Sequence, residues 1–259
     1  MKKNPIIIIL SSLLIVVVGV IGYWALTQEK DPVNAPVNDL NKDQSQSIEG
    51  NAIIDWIDFV KLNGLSYSGL YDGVLVDSSD MTDHVVGEVK FKLADVVSNP
   101  DYRTKDGDAA FLAIGTKLYE VKGFKHEELI AAKDDRAIGG YRLYVGEAFN
   151  KTHNRNFKDI PYDKVSQIEL YKMNEMTPYR TLIDNEKSDF IHLLKSGEYT
   201  PNYTSNSQNG DPTYYQMVFY TEDEPIAYSF SIADDGDHVF FHPWDTSIVD
   251  NRIRTLLAE

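Results

Sequence analysis

The residues best suited to chemistry in this sequence are acidic. Asp106-Gly107-Asp108, with Asp101 shortly before it, could offer carboxylate oxygens to a hard cation. A calcium loop of the EF-hand kind needs oxygen donors at alternating positions and a closing Glu at the twelfth; counted from Asp106, that position is Lys117. The spacing predicts instead a turn at Asp106-Gly107 and another at Gly115-Thr116, framing a strand over KLYEV. The segment ADDGDH, residues 233–238, has the same double meaning, and the clean alternation on either side of it favours a hairpin turn. Asp72, Asp77, Asp80 and Asp83 make a third acidic loop whose spacing implies no cage.

His238 and His242 would suit a metal on a helix. They flank Val239, Phe240 and Phe241 in a predicted strand, where four residues span about 13 Å, too far for this pair to chelate one ion. Ser66 in GLSYSG, residues 64–69, is not a nucleophile elbow, because Ser68 stands where the second glycine belongs and the context is a hairpin. No phosphate-binding loop, dinucleotide fingerprint or zinc-peptidase motif occurs. The sequence therefore assigns no catalytic, cofactor-binding or metal-ligating residue, and no cofactor is expected.

Location is better marked. Residues 6–26, IIIILSSLLIVVVGVIGYWAL, carry no charge and as a helix would span about 30 Å, the thickness of a bilayer's hydrocarbon core. Lys2 and Lys3 precede the run and Tyr23 and Trp24 lie near its end, which predicts a cytoplasmic N-terminus and everything after residue 27 outside the cell membrane. The rival is a cleaved signal peptide, for which Ala25-Leu26-Thr27 is a poor cleavage site. The absence of cysteine excludes a lipidated N-terminus, disulfides and thiolate metal sites. With 25 Lys+Arg against 40 Asp+Glu, the chain carries a net charge of −15. Such a surface repels nucleic acid, so none is expected as a partner; the bilayer, through residues 6–26, is.

Residues 28–50 are polar and without apolar periodicity, and read as a flexible linker. Residues 51–150 read as a small β-rich barrel or roll. In it, Asn63-Gly64 turns a hairpin, and short strands over GVLV, VVGEVKFKL, GTKLYEV, ELIAA and GYRLYVG are punctuated by glycine. Residues 151–162 read as a polar connector.

Residues 163–259 read as an α+β domain, an antiparallel sheet with two helices on one face. The first helix covers NEKSDFIHLLKSG, capped by Asp184 or Asn185 and ended by Gly197. The strands YYQMVFYT and IAYSFSI follow, the latter with Ile226, Tyr228, Phe230 and Ile232 on one face. Ser247-x-x-Asp250 reads as a capping box for a last helix with Val249, Ile253, Leu256 and Leu257 in one stripe. The 16 tyrosines and 11 phenylalanines fit a chain rich in strands.

The assembly VVGEVKFKL…DGDAAFLAIGTKLYEVKGF…LIAA resembles the ectodomains of membrane-anchored or lipid-anchored proteins of spore-forming Gram-positive bacteria. The closing half, VSQIELYKM…FIHLLKSG…YQMVFYT…YSFSI…IRTLLA, is similar to a small surface module recurrent in the same organisms. The resemblance implies an extracytoplasmic protein and carries no catalytic residue with it. The favoured expectation is a non-catalytic binding or regulatory module of the cell envelope, engaging another envelope protein or a cell-wall component. The alternative is an extracytoplasmic hydrolase acting on cell-wall material, with carboxylates of the acidic loops as acid and base.

Overall fold

The computed structural model describes residues 55–208, 210–222, 224–241 and 246–259. The membrane helix over 6–26 and the linker over 28–50 lie outside them, as does His242. Among the described residues no helix is long and apolar enough to cross a membrane. The chain is a mixed α+β, sheet-rich protein with few helices.

The first half supplies Phe59–Leu62 (β1), Leu65–Gly69 (β2), Gly73–Leu75 (β3), Met81–Glu88 (β4), Phe91–Lys92 (β5), Asp108–Ala109 (β6), Lys117–Val121 (β7), Leu129–Lys133 (β8), Tyr141–Gly146 (β9) and a short helix Glu147–Thr152 (α1). Asn63 and Gly64 take φ of 53° and 78°, the left-handed pair that a two-residue hairpin between β1 and β2 requires. All of these strands except β3 form an eight-stranded sheet in the order β4-β7-β8-β9-β2-β1-β6-β5. It curls into a half-barrel: β4 and β5 are its two ends, and the barrel expected from the glycine-punctuated strands stays open. One face buries Val60, Tyr67, Leu118, Ile130 and Tyr144; the other buries Leu129, Ala131, Leu143 and Val145 with Phe149 of α1.

The second half supplies Val165–Lys172 (β10), Arg180–Leu182 (β11), Asp184–Lys195 (α2), Glu198–Tyr199 (β12), Thr213–Thr221 (β13), Ile226–Asp234 (β14), Val239–Phe241 (β15), Ser247–Val249 (β16) and Arg254–Leu257 (α3). Their sheet runs β11-β10-β13-β14-β15-β16-β12. Phe190, Leu193 and Leu194 of α2 share one core with Ile253 and Leu257 from the chain end and with Met217, Phe219, Phe230 and Ile232 of the sheet. Both helical segments therefore cover the same face.

Two local expectations are corrected. Neither Asp184 nor Asn185 caps α2: Ile183, the single residue between β11 and the helix, holds the cap position and leaves no room for a capping side chain. Ser247 is not in a helix cap either, because it pairs with Phe241 and Tyr199 in the sheet. Asp250 alone starts the final turn, its carboxylate accepting from the Arg252 backbone N–H at 2.9 Å.

The sheets do not stand apart. Strand β3 leaves the first half of the chain and adds to β14, with Leu75, Val74 and Gly73 opposite Ile226, Ala227 and Tyr228. Leu75 and Ile226 then share a core with Phe149 and Leu143. The polar segment between the halves is also anchored: Ile160 is buried in the second core, and Phe157 lies 4.4 Å from Phe241 and 5.6 Å from Phe230, ring to ring. By its internal contacts the chain from Gly50 to Glu259 is one unit.

Candidate functional site: a cleft between the two sheets

The chain-order neighbours β1 and β2 pair with each other, and β2 pairs with β9, which sets Asp58, Gly69 and Tyr144 in one row across the curled sheet. Gly69 is the middle of that row and donates its N–H to the Asp58 carbonyl at 2.9 Å. A Cβ at Gly69 would lie 3.1 Å from Asp58 Oδ2 and would press on that carboxylate, so glycine leaves the flanking side chains room to meet above it. They do meet: the Tyr144 hydroxyl donates to the Asp58 carboxylate at 3.2 and 3.3 Å. Arg142, two residues before Tyr144 and on the same side of the strand, reaches Asp58 Oδ2 at 3.4 Å and Asp134 Oδ2 at 2.8 Å.

This network is buried at its base and open at its top. Asp58 is 2% exposed, and burial pushes its carboxyl above the usual carboxylate range against the pull of Arg142 and Tyr144. Burial works the same way on Asp134, but the Arg136 backbone N–H and the Arg142 guanidinium outweigh it and hold that carboxyl low. Burial and the neighbouring Asp58 keep the Tyr144 phenol protonated far above its ordinary range. Above the network lies a cleft of about 370 Å³ lined by residues of both sheets. Tyr71 stands at its rim, 73% exposed, with the exposed side chains of Phe111, Met173 and Met176. Gln216 and Ser229 line the cleft from the second sheet, and their side chains are tied together, the Gln216 amide donating to Ser229 Oγ at 2.7 Å and accepting from Ser231 at 3.1 Å.

Chemically, the cleft offers an aromatic and thioether rim over hydrogen-bonding side chains. Asp58, its buried carboxylate, is already bonded by a phenol and a guanidinium.

None of the sequence-selected acids lies in this cleft. Asp106 accepts from the Gly64 N–H at 2.8 Å, joining its turn to the β1–β2 hairpin. Asp108 is buried and accepts from the Tyr102 hydroxyl at 2.9 Å and the Lys105 N–H at 2.7 Å. Gly107 between them has φ of 93°. In the 233–238 turn, Asp234 holds Arg254 at 2.7 and 2.8 Å. Asp235 accepts the N–H groups of Asn206, Asp237 and His238 and the Tyr203 hydroxyl. The acids of the third loop are dispersed: Asp77 caps a short turn, Asp83 lies on β4, and Asp72 faces Arg155. Ser66 is exposed on β2, opposite Lys61. His238 lies just before β15, bound through its backbone to Asp235. Among the described residues no group of three or more His, Asp or Glu side chains is placed to hold a metal ion.

Sequence reasoning passed over Asp58, Arg142 and Tyr144. A signal was present: Asp58 falls in alternation with Val60 and Leu62, on the buried side of β1, and a carboxylate there needs a partner.

Fold and cleft together define the class: a sheet-rich α+β protein with a ligand-sized cleft where its sheets join. No family model, curated protein or solved structure matches the chain.

Proposed function

We propose that the protein is a non-catalytic binding module of the cell envelope, held at the membrane by residues 6–26 and presenting the cleft outside the cell. The observation that supports this reading is the cleft's rim, where Tyr71, Phe111, Met173 and Met176 stand exposed around tethered polar groups. Rigid aromatic rings and adaptable thioethers supply contact area at low entropic cost, and a monomeric surface seldom leaves them grouped without use. The ligand under this reading is a cell-wall component or another envelope protein.

Hydrolysis of cell-wall material is the second reading, favoured by one feature, the raised carboxyl of Asp58 at the cleft base. Its engagement by Tyr144 and Arg142 weighs against a free general acid.

The test is co-sedimentation of the full chain, held in phosphatidylcholine nanodiscs so that residues 6–26 are already occupied, with isolated cell walls and with envelope membranes, alongside measurement of soluble fragments released. The binding reading expects co-sedimentation with one of the two, lost in a Tyr71→Ser/Met176→Ser double variant, and no fragments. Fragment release that disappears in Asp58→Asn would establish the hydrolase instead. Failure to sediment with either material removes the binding reading.

A further inference from the structure

A second cavity, of about 450 Å³, lies on the other side of the second sheet, between the C-terminal end of α2, the segment 156–162 and strands β12, β15 and β16. Its apolar wall is aromatic: Phe157 and Phe241 are in ring contact at 4.4 Å, Tyr162 adjoins them, and Tyr199 stands 61% exposed at the side. Among the described residues its charged groups are Lys158 and Lys195, and none of them brings a carboxylate to its lining.

That charge pattern runs against the protein. The chain has 40 acidic residues against 25 Lys+Arg. Most cations near the other junctions are matched: Arg142 by Asp58 and Asp134, Arg254 by Asp234, Arg180 by Glu186. Among the described residues Lys158 and Lys195 have no carboxylate within 4.0 Å. The nearest acid in sequence to Lys158, Asp159, accepts from the Asn156 backbone and side chain and makes no ion pair with either lysine. Lys195 instead lies 5.0 Å over the Tyr162 ring, a contact that directs its ammonium across the aromatic wall. Residues 242–245, which link Phe241 to Thr246, are outside the described residues.

We infer that this cavity binds a small amphipathic acid, an aromatic or short alkyl body carrying one carboxylate or phosphate. The body lies against Phe157, Phe241 and Tyr199, and the anionic group sits between Lys158 and Lys195. An anion here pairs with two cations that no described carboxylate matches, whereas a neutral or cationic ligand gains no such pairing. The inference does not depend on the cleft reading, since the two sites share no lining residue.

The test uses the full chain in phosphatidylcholine nanodiscs, titrated calorimetrically with 2-naphthoate, 2-naphthyl phosphate and the neutral 2-naphthalenemethanol, with empty nanodiscs as reference. At least one of the two acids binds saturably above the reference, and at least tenfold more tightly than the alcohol; whichever is tighter identifies the anionic group. Lys158→Gln/Lys195→Gln, two exposed positions whose exchange leaves the thermal transition unchanged, weakens that acid at least tenfold and the alcohol little. Lys195→Glu weakens it further. Absence of saturable binding above empty discs, equal affinity for acid and alcohol, or undiminished binding by the double variant each overturns the inference.

Discussion

Arg155 offers the sharpest test of how the two sheets are joined. It sits in the segment between the halves with its side chain 9% exposed, and its Nη2 donates to the Asp72 carbonyl at 3.0 Å and the Ala227 carbonyl at 2.6 Å. The first of these carbonyls immediately precedes β3, and the second lies within β14 opposite Val74. Its guanidinium lies 4.1 Å over the Tyr228 ring, and Nε is 3.6 Å from Asp72 Oδ1. Replacing Arg155 by Met keeps an apolar stem of similar length and removes the guanidinium. Each hydrogen bond from a charged donor is worth about 1.5–3 kcal/mol. The Asp72 carbonyl keeps a second donor in the Ser229 N–H, which lowers that loss. The Asp72 side chain is 37% exposed although its Oδ1 is buried, so its unpaired charge adds a modest cost, reduced by water and present only when the carboxyl is ionised.

The expected cost is therefore about 2–4 kcal/mol, or a fall in melting temperature of about 4–16 °C for a protein of this size. Arg155→Lys recovers little, because an ammonium cannot reach both carbonyls while stacking on Tyr228. A pH series separates this account from simple loss of packing. Burial raises the Asp72 carboxyl and Arg155 opposes that rise, so the Met variant raises it further. A carboxyl raised above its unfolded value stabilises the fold while protonated, and that contribution disappears as pH rises through the folded pKa. The deficit of Arg155→Met should thus be larger at pH 7 than near pH 4. Thermal melts by circular dichroism decide the matter, and a fall under about 1 °C with no pH dependence would refute the reasoning.

A fragment of residues 163–259 should lack a cooperative thermal transition, because it loses Phe157, Ile160 and Tyr162 from the core and β3 from the edge of β14, whereas residues 50–259 should melt cooperatively. Asp235, bonded by three N–H groups and a phenol, is held down to about 2 despite its burial, against 3.8 for the free side chain. Its contribution is complete above pH 4 and lost as pH falls toward 2, so Asp235→Asn should flatten the acid limb of an unfolding curve in that window. Asp106→Asn should cost under about 0.5 kcal/mol and Asp108→Asn about 1–2 kcal/mol in urea unfolding, since only Asp108 is buried between two donors. A large stabilisation by millimolar calcium that vanishes in the double variant would make this turn a metal site instead.

What was legible in the sequence was whatever a few consecutive residues decide. Asn63-Gly64 names its own hairpin because both residues tolerate positive φ, whereas the alternation in IAYSFSI marks the strand but not its burial, since Ala227 and Ser229 on the opposite face are buried too. The final helix was misplaced because Ser247 satisfies a capping pattern locally, and only the distant strands β12 and β15 claim it for the sheet. The two-residue strands β5, β6 and β12 have no period to detect. The segment 151–162 looked like a connector because its charges outnumber its apolar residues, yet Phe157 and Ile160 are the ones that pack.

The cleft escaped notice for a related reason. Its base depends on Asp58 meeting Arg142 across 84 residues, and the tie between the sheets depends on Arg155 meeting the Ala227 carbonyl across 72. Composition suggested a solvated acidic surface, and for most of the carboxylates that is a sufficient account. It is insufficient where an acid falls on the buried side of a strand, as Asp58 does, because desolvation there has to be offset by a cation from elsewhere in the chain. In a protein with few cations, their placement carries information that net charge hides. Arg142 and Arg155 are spent on the joints of the fold, and Arg142 also lines the cleft. Lys158 and Lys195 are committed to no carboxylate among the described residues, and that difference is what separates a structural cation from one free to meet a ligand.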